Sequence, residues 1–442
     1  MSKKRKANEM LDIKFIRENP DLIKKTIEQK RLDLDLDKLL ELDVERRKII
    51  QELESLRATK NLVSEEIPKL SEKEKKVKIL EMQEVDKRTD ELKNRLKDVE
   101  AAYDVLMLLV PNIPSEDSPI GPDSSANKEV YRWGEPKKFD FEIKDHIALG
   151  KELDLIDTES GVKVSGFRGY FLKNEAVLLH LAVIWHAVNK MREKEFSMIL
   201  PPTLVREFAL VGSGHFPLGR DEIYQIGNPG KLASGEYIKD PMFLTGTSES
   251  SLLAMYADKI LDEKDLPIKI CGFSQCYRSE IGSYGKDTHG LYRIHEFMKV
   301  EQVVLCRGDV EESDQWLEDM RKIAQEILEE LELPYRVLSI CTGDMGVGKR
   351  KMYDIETWMP SRGDYGETHS DSNLTDWQAR RLNIKYKTKD GEKRFVHTLN
   401  NTVIASPRIL IAILENYQQE DGSVLVPEVL RPYLGGLKVI KR

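Results

Sequence analysis

The chain has little cysteine and no paired cysteine motif. Its four cysteines (Cys271, Cys276, Cys306 and Cys341) are scattered through 442 residues, and no two form a Cys-x-x-Cys pair. A disulfide framework and a cysteine-based zinc or redox site are therefore excluded, and we expect buried small apolar side chains instead. The eight histidines also lack a spacing such as His-Glu-x-x-His, so we expect any metal to arrive with a ligand.

Long apolar runs are missing as well. The longest, residues 176–188, is interrupted by His180 and His186 and falls short of the ~20 residues of a membrane-spanning helix. The basic residues 1–9 lead into no apolar stretch or cleavage site, which predicts a cytoplasmic protein and favours an alternative start over a weak nuclear signal. The net charge of −8 gives no general attraction to phosphate, so binding of nucleic acid would need a locally basic surface.

The overall composition is that of a globular protein. Apolar residues make up 40% and charged residues 33% of the chain, which excludes collagen-like and low-complexity proteins. The length allows two or three domains. We expect an N-terminal domain over residues 1–115 and a second domain over residues 116–442.

Residues 37–110 contain no glycine and predict a pair of helices. Apolar residues recur every seven positions before and after a break at residues 67–69. The two stripes are Leu42, Ile49, Leu56 and Val63, then Val85, Leu92, Val99 and Leu106. Neither stripe could be buried alone, so the pattern predicts an antiparallel two-helix coiled coil that projects as an arm.

The heptad pattern leaves two functions open for the arm: it could be a rod through which chains oligomerise, or a projecting finger that binds a long partner such as RNA. Residues 38–110 carry 16 Lys or Arg against 17 Asp or Glu. A phosphate-binding face would therefore need segregated charge, which clusters such as residues 46–48, 73–78 and 87–88 could supply.

Beyond residue 119 the chain mixes strands and helices without regular alternation. Helices are predicted at residues 176–192, 311–331 and 408–417, and strands at residues 268–277, 297–306, 336–341 and 394–399. This order favours an α+β domain around an antiparallel sheet. Within it, the sequence GDMGVGK at residues 343–349 imitates a phosphate-binding P-loop, but Arg350 stands where Ser or Thr must hold magnesium, so we interpret it as a glycine-rich turn.

Three segments carry more specific chemistry. Residues 276–302 predict a hairpin with arginines, glutamates and a loop of glycine and lysine, a combination suited to phosphate. Residues 367–381, ETHSDSNLTDWQARR, are interpreted as an acidic, hydroxyl-bearing loop. Residues 397–408, HTLNNTVIASPR, end on an arginine that opens a helix.

Together with LDIKFIRENPDLIKK, SGFRGYFL and SNLTDWQARRLNIKY, these segments resemble the seryl-tRNA synthetases, which are class II aminoacyl-tRNA synthetases with an N-terminal coiled-coil arm. The resemblance covers nearly the whole chain. It implies a homodimer that activates L-serine with ATP and Mg²⁺ to seryl-adenylate. It also implies transfer of serine to tRNA-Ser, and to tRNA-Sec, with the arm reaching the long variable arm of the tRNA.

The resemblance also assigns residues to ATP. Arg278 would bridge the α-phosphate and the serine carboxylate, and Arg408 would hold the γ-phosphate end, because a guanidinium binds two oxygens at once and stays charged. Glu367 and Ser370 would hold Mg²⁺ with the nucleotide. The remaining implied ATP contacts are Ser279, Glu280, Ile294, Phe297, Thr368 and His369.

The implied serine pocket consists of Thr247, Glu249, Glu301, Asn400 and Thr402, beside Arg278. Glu249 would bind the substrate ammonium and Glu301 the substrate hydroxyl. Alanine would be rejected because a buried acceptor left unpaired costs ~1 to 3 kcal/mol, and threonine would be excluded by shape. No covalent catalyst is expected, because the terminal ribose hydroxyl of the tRNA attacks the adenylate directly.

Some positions depart from the family pattern, and two rival functions remain open. The departures are Glu195, His289, Glu296, His369, Asp371 and Asn401. One rival is a relative that loads a carrier protein, although such relatives lack the arm. The other is a catalytically silent RNA-binding or structural homologue, against which the charged residues of the three segments argue.

Overall fold

The protein, described here from a computed structural model, divides into two compact units, Glu9–Pro111 and Asn112–Arg442. The structure describes residues 12–228, 230–281 and 290–442. Residues 1–9 and His289, on which the sequence raised questions, lie outside these ranges. No helix within them is long and apolar enough to cross a membrane.

The first unit is entirely helical where it is described. Side chains that accept hydrogen bonds from backbone N–H groups mark the helix starts: Asp12 accepts from Lys14, and Asp35 accepts from Lys38. Ser71 and Glu74 form a reciprocal capping box at the last helix. The helices are α1 (Ile13–Glu18), α2 (Pro20–Gln29), α3 (Leu36–Glu66) and α4 (Glu72–Met107), with a 3₁₀ turn at Ile67–Lys69.

Helices α3 and α4 form the antiparallel coiled coil that the sequence predicts. Their shared seam is built from both heptad stripes, with Leu42, Ile49, Leu92 and Val99 buried. Two ion pairs show that the helices run in opposite directions. Arg46 of α3 contacts Glu100 near the end of α4 at 3.1 Å, whereas Glu52, which comes later in α3, contacts Arg88, which comes earlier in α4, at 2.8 Å. Together with the sheet of the second unit, described next, this coiled coil confirms the predicted α+β fold with a coiled-coil arm.

The second unit contains a large, mainly antiparallel sheet. Eight of its described strands pair in the order β1-β10-β11-β12-β15-β9-β8-β4, and only the β4–β8 pair is parallel. The strands of the unit are β1 (Lys128–Trp133), β2 (Ile156–Asp157), β3 (Phe171–Leu172), β4 (Ser197–Ile199), β5 (Leu204–Arg206), β6 (Met242–Leu244), β7 (Ile260–Asp262), β8 (Ile268–Tyr277), β9 (Glu296–Cys306), β10 (Tyr335–Ser339), β11 (Lys351–Met359), β12 (Asp364–Thr375), β13 (Lys385–Lys387), β14 (Lys393–Phe395), β15 (His397–Ser406), β16 (Val424–Leu425) and β17 (Val439–Ile440).

Helices pack on both faces of this sheet, and one face also carries a cavity. The helices are α5 (His146–Glu152), α6 (Thr158–Ser165), α7 (Glu175–Glu193), α8 (Glu207–Ser213), α9 (Glu249–Ala254), α10 (Val310–Glu330), α11 (Trp377–Arg381) and α12 (Arg408–Tyr417). Residues of α7, α10 and α12 share one core with Val300 and Val304 of β9. Val303 and Leu305 instead pack in a second core with α9, because successive side chains of a strand point to opposite faces. All four cysteines are buried, as expected.

Parts of the sequence interpretation were wrong. The expected loop at residues 367–381 is largely strand β12, and its partner β11 was not predicted. The strand expected at residues 394–399 is two strands, β14 and the much longer β15. The glycine-rich segment 343–349 is followed by strand β11 rather than by the helix of a P-loop, in agreement with its rejection.

Candidate active site

The hairpin β8–β9 and strands β12 and β15 contribute to a cavity of about 480 Å³, which the first residue of α12 also lines. All but two of the predicted side chains line it, although they come from segments up to 161 positions apart in the sequence. They are Thr247, Glu249, Arg278, Glu280, Ile294, Phe297, Glu301, Glu367, Thr368, Ser370, Asn400, Thr402 and Arg408.

Ser279 and His369 are the two exceptions. The Ser279 hydroxyl donates to the backbone carbonyl of Asp221 at 2.6 Å, which turns it away from the cavity. His369 lies on β12 between the cavity-lining Thr368 and Ser370, and its ring is buried beside the carbonyl of Val403, 3.0 Å from Nε2. Burial lowers the pKa of His369 to about 4, so its imidazole is neutral at physiological pH. The structure does not bring either side chain to the cavity.

Strand alternation aligns the functional side chains of β9. Phe297, Lys299 and Glu301 occupy every second position and all line the cavity. Lys299 was not among the predicted site residues, yet its Nζ lies 2.6 Å from the Glu301 carboxylate, and both side chains are buried. The same two-residue spacing from Phe297 to Glu301 in the sequence could have identified it.

One end of the cavity is built around the carboxylate of Glu249, the first residue of α9. Its Oε1 accepts hydrogen bonds from Gln378 Nε2 at 2.6 Å and from Asn400 Nδ2 at 2.9 Å. The hydroxyl of Thr247 accepts from the backbone N–H of Glu249 at 3.3 Å. A buried carboxylate fixed by neutral amides is suited to a ligand ammonium group.

Glu301 is the second acid at this end. The hydroxyl of Thr402 donates to its Oε2 at 3.5 Å. Burial raises the pKa of Glu301, the charge of Lys299 opposes that rise, and the neighbouring charge of Glu249 adds to it. Burial likewise raises the pKa of Glu249. Two neighbouring carboxylates at one end of the cavity favour positively charged or hydrogen-donating ligands.

Arg278 follows directly after β8 and reaches the middle of the cavity. Its Nε donates to the backbone carbonyl of Gly246 at 3.4 Å, and its guanidinium carbon lies 5.3 Å from the ring centroid of Phe297. The aromatic ring and the cation therefore share one wall, and a flat base could stack on the same ring.

Arg408 opens α12, as the sequence predicts, and holds the far end of the cavity. Its Nε donates to the carbonyl of Tyr292 at 3.1 Å and its Nη1 to the carbonyl of Glu367 at 3.0 Å. The guanidinium carbon also lies 4.4 Å from the ring centroid of Tyr292. The backbone and an aromatic ring thus fix the cation in place, and Tyr292 is a second cavity residue that the sequence interpretation missed.

Glu280, which also lines the cavity, lies between two arginines. Its carboxylate is 3.3 Å from Arg293 and 3.8 Å from Arg168. The backbone of Glu280 has a positive φ of 53°, a conformation that few non-glycine residues adopt and that often marks a functional position.

A divalent cation has a partial oxygen site beside Arg408. Glu367 and Ser370 line the cavity, and the half-buried Asp354, which pairs with Ser370 across strands β11 and β12, has a buried Oδ1 without a hydrogen-bond partner among the described residues. Burial raises the pKa of Asp354, as does the nearby charge of Glu367. No group of three His, Cys, Asp or Glu residues in the described ranges could hold a metal alone. The few hard oxygen donors of Glu367, Ser370 and Asp354 fit Mg²⁺ that would take its remaining ligands from a bound nucleotide.

The departures from the family pattern that the structure describes lie outside the cavity. Glu195 has a positive φ of 61° and contacts Lys269 at 3.3 Å, and Glu296 accepts from Gln275 at 2.9 Å. Asp371 and Asn401 are fully buried. None of the four lines the cavity.

Known proteins match both units. Residues 10–114 fit the family model of the seryl-tRNA synthetase N-terminal domain, and residues 235–417 fit that of the tRNA synthetase class II core domain (G, H, P, S and T). The serine–tRNA ligase of Deinococcus radiodurans is 43% identical over 431 residues, which are 98% of this chain and 99% of the relative. The chain belongs to the seryl-tRNA synthetase family.

Solved structures of this family agree with the fold. The seryl-tRNA synthetase of Pyrococcus horikoshii, complexed with ATP, is 40% identical with a TM-score of 0.87, and covers 98% of this chain and 99% of its own. The serine–tRNA ligase of Naegleria fowleri in complex with AMP is 32% identical, with a TM-score of 0.85 and the same coverage. The expectation of a class II synthetase with an N-terminal arm is confirmed.

Proposed function

We propose that the cavity binds L-serine and ATP, joins them as seryl-adenylate, and then transfers serine to tRNA-Ser. The observation that carries the proposal is the placement of Arg278 and Arg408 in one cavity with the buried acids Glu249 and Glu301. Fixed cations are needed where a carboxylate attacks the α-phosphorus, because negative charge accumulates there.

In the first step the serine carboxylate attacks the α-phosphorus and pyrophosphate leaves. Arg278 holds the carboxylate and α-phosphate oxygens, and Arg408 holds the γ-phosphate end. Phe297 stacks on the adenine, and Glu280 and the backbone at Ile294 contact the base. Glu367 and Ser370, with Thr368 beside them, would hold Mg²⁺ that arrives with ATP, and the ion would supply further positive charge at the phosphates.

Serine is selected at the other end of the cavity. Its ammonium group binds Glu249 with Thr247, and its hydroxyl donates to Glu301 beside Asn400 and Thr402. Alanine leaves the Glu301 acceptor unpaired, which costs ~1 to 3 kcal/mol or about 5-fold to 150-fold in kcat/KM. Threonine is excluded by the extra methyl group.

The Glu249→Gln variant tests the ammonium site. A hydrogen bond to a charged group contributes ~1.5 to 3 kcal/mol, so we expect KM for serine to rise about 10-fold to 150-fold while KM for ATP changes much less. Burial raises the pKa of Glu249, so kcat/KM for wild-type enzyme should fall on acidification at a higher pH than an exposed glutamate would give. The part of the acid limb that belongs to Glu249 should be lost in the variant, and the part that belongs to Glu301 should remain. An unchanged serine KM would contradict this role.

We further propose that the arm, α3 with α4, binds the long variable arm of tRNA-Ser through shape and phosphate contacts rather than base readout. The same contact serves tRNA-Sec, which receives serine first. The domain division at residues 115 and 116 and a cytoplasmic location belong to this proposal. The family match over residues 10–114 argues against a carrier-protein substrate, because the carrier-loading relatives lack this domain.

A homodimer is proposed through an apolar face of α7. Val177, Leu178, Leu181 and Trp185 recur at helical spacing, and each is more than a third exposed in the single chain. We expect the wild-type protein to have twice the chain mass of 50.9 kDa by light scattering. The double change Leu181→Glu and Trp185→Glu should yield the chain mass, whereas Leu80→Glu, an exposed site on the arm, should not. A monomeric wild type would refute the dimer.

Serine-dependent exchange of labelled pyrophosphate into ATP tests the first step, and charging of a tRNA-Ser transcript tests the second. We expect both activities. A silent homologue would show neither, and a carrier-loading enzyme would show exchange without charging of tRNA.

A further inference from the structure

The glycine-rich turn at residues 343–349 has no part in the mechanism above, yet it forms a wall of the cavity. Gly346, Val347, Gly348 and Lys349 all line it. Asn112, which is fully buried, holds the turn by donating from its backbone N–H to the carbonyl of Val347 at 3.0 Å and from Nδ2 to that of Gly348 at 3.1 Å. The wall is therefore anchored in the core.

Close packing requires glycine at position 348, and Gly346 lies in contact with the side chain of Lys349. A Cβ on Gly348 would lie 2.5 Å from Cε3 of Trp377, a distance that atoms cannot adopt without a shift. A Cβ on Gly346 would lie 3.5 Å from Cε of Lys349, which shows that the lysine stem runs across the bare Gly346 backbone. The turn thus fixes the direction of one cationic side chain.

Lys349 lines the cavity together with residues of both its ends. At the serine end, burial raises the pKa of Glu249, and a hydrogen bond from Gln378 and the charges of Lys299 and Lys349 counteract the rise. At the phosphate end, Lys349 shares the cavity with Glu367, Ser370 and Arg408. The Nζ donates to Met352 Sδ at 3.4 Å, a weak acceptor, so a phosphate oxygen would be a stronger one.

The reacting atoms lie between these two ends. With the substrate ammonium at Glu249 and the outer phosphates at Ser370 and Arg408, the serine carboxylate and the α-phosphorus fall between them. In the sheet order, β11, which follows Lys349, and β8, which precedes Arg278, are separated by β12, β15 and β9. Lys349 and Arg278 therefore approach the cavity from opposite sides.

We propose that Lys349 is a third cation of the adenylation centre, which contacts the α-phosphate oxygens from the side opposite Arg278. The inference rests on the proposed function. As the carboxylate oxygen bonds to the α-phosphorus, the bond from phosphorus to the bridging oxygen breaks and pyrophosphate takes the electron pair. Lys349 neither gives nor takes a proton; its charge stabilises the extra negative charge of the transition state. Lys299 has a different place in the cavity, because its Nζ lies 2.6 Å from the Glu301 carboxylate in the serine pocket.

The test compares Lys349→Met, which keeps the stem and removes the charge, with Lys349→Arg and with a matched control, Lys351→Met. Lys351 lies two residues further on, outside the cavity, with its Nζ 2.6 Å from Asp117. In pyrophosphate exchange we expect kcat of Lys349→Met to fall about 100-fold, with KM for serine and ATP within about 3-fold of wild type. Lys349→Arg should regain at least a tenth of the wild-type rate.

Three results would overturn the inference: exchange by Lys349→Met within 2-fold of wild type, an equal loss in Lys351→Met, or a rise in serine KM with kcat unchanged. Thermal melting checks that all variants are folded. Failure of the proposed function gives a different result, because the wild-type enzyme itself would then show no serine-dependent exchange.

Discussion

The Arg278→Ala variant is expected to lose serine-dependent pyrophosphate exchange by about 1000-fold or more. Arg278 lines the same cavity as Glu249 and Arg408. Its planar guanidinium can bind a carboxylate and a phosphate together, and a cation on a transferring phosphoryl group contributes 10³-fold to 10⁵-fold in other enzymes.

Two further variants make this result specific. Arg278→Lys keeps the charge without the planar fork and should stay at least about 10-fold below wild type. Arg394→Ala removes a surface arginine that pairs with Glu392 at 2.7 Å and should leave exchange unchanged. Exchange close to wild type in Arg278→Ala would reject the site assignment.

Shortening the arm is expected to separate the two reaction steps. We would replace residues 50–96 with a short glycine linker, which keeps the ion pair of Arg46 with Glu100 and the packing of Leu42 on Val99 at the base. Exchange should stay within about 2-fold of wild type, because every cavity residue lies in the second unit. Charging of tRNA-Ser should fall by about 100-fold or more, because the phosphate contacts of the arm are lost.

A charge variant of the intact arm provides the control for folding. Changing Lys73, Lys75, Lys76 and Lys78 to glutamine preserves helix α4 and its seam, and charging should weaken in a salt-dependent manner. If the truncated enzyme lost exchange and charging equally, or kept both, the arm would have no separate role in tRNA binding.

Sequence reasoning predicted the elements whose residues follow one dominant period. The seam of α3 and α4 follows a seven-residue repeat over each helix, and the predicted break at residues 67–69 coincides with the turn. Strand β8 and helix α12 match their predicted bounds, since β-branched and aromatic residues fill the first and a strong apolar stripe fills the second.

Strand β12 was missed because its composition does not look like a strand, whereas β11 alternates polar with aromatic and β-branched residues and could have been predicted. The middle of β12, Glu367 to Asp371, contains carboxylates, hydroxyls and a histidine, yet it crosses the centre of the sheet. Thr368 and Ser370 face the cavity while His369 and Asp371 are buried behind it, so both faces of the strand carry polar groups. An alternation of apolar and polar residues cannot appear in such a segment.

The candidate site was predicted at the level of segments more accurately than at the level of each side chain. Ser279 and His369 are neighbours in sequence of true cavity residues, but turn and strand geometry direct them elsewhere. Lys349 was missed for the opposite reason: it belongs to a segment interpreted as a plain turn, and only the fold brings that turn to the cavity.

The most direct measurement is pyrophosphate exchange by the wild-type enzyme with serine, alanine, threonine and cysteine, each at the same concentration. The geometry predicts exchange with serine, and at least about 5-fold lower kcat/KM with each of the others, because only serine offers both the hydroxyl donor and the right size. Exchange as fast with alanine or threonine as with serine, or none with serine, would contradict the account.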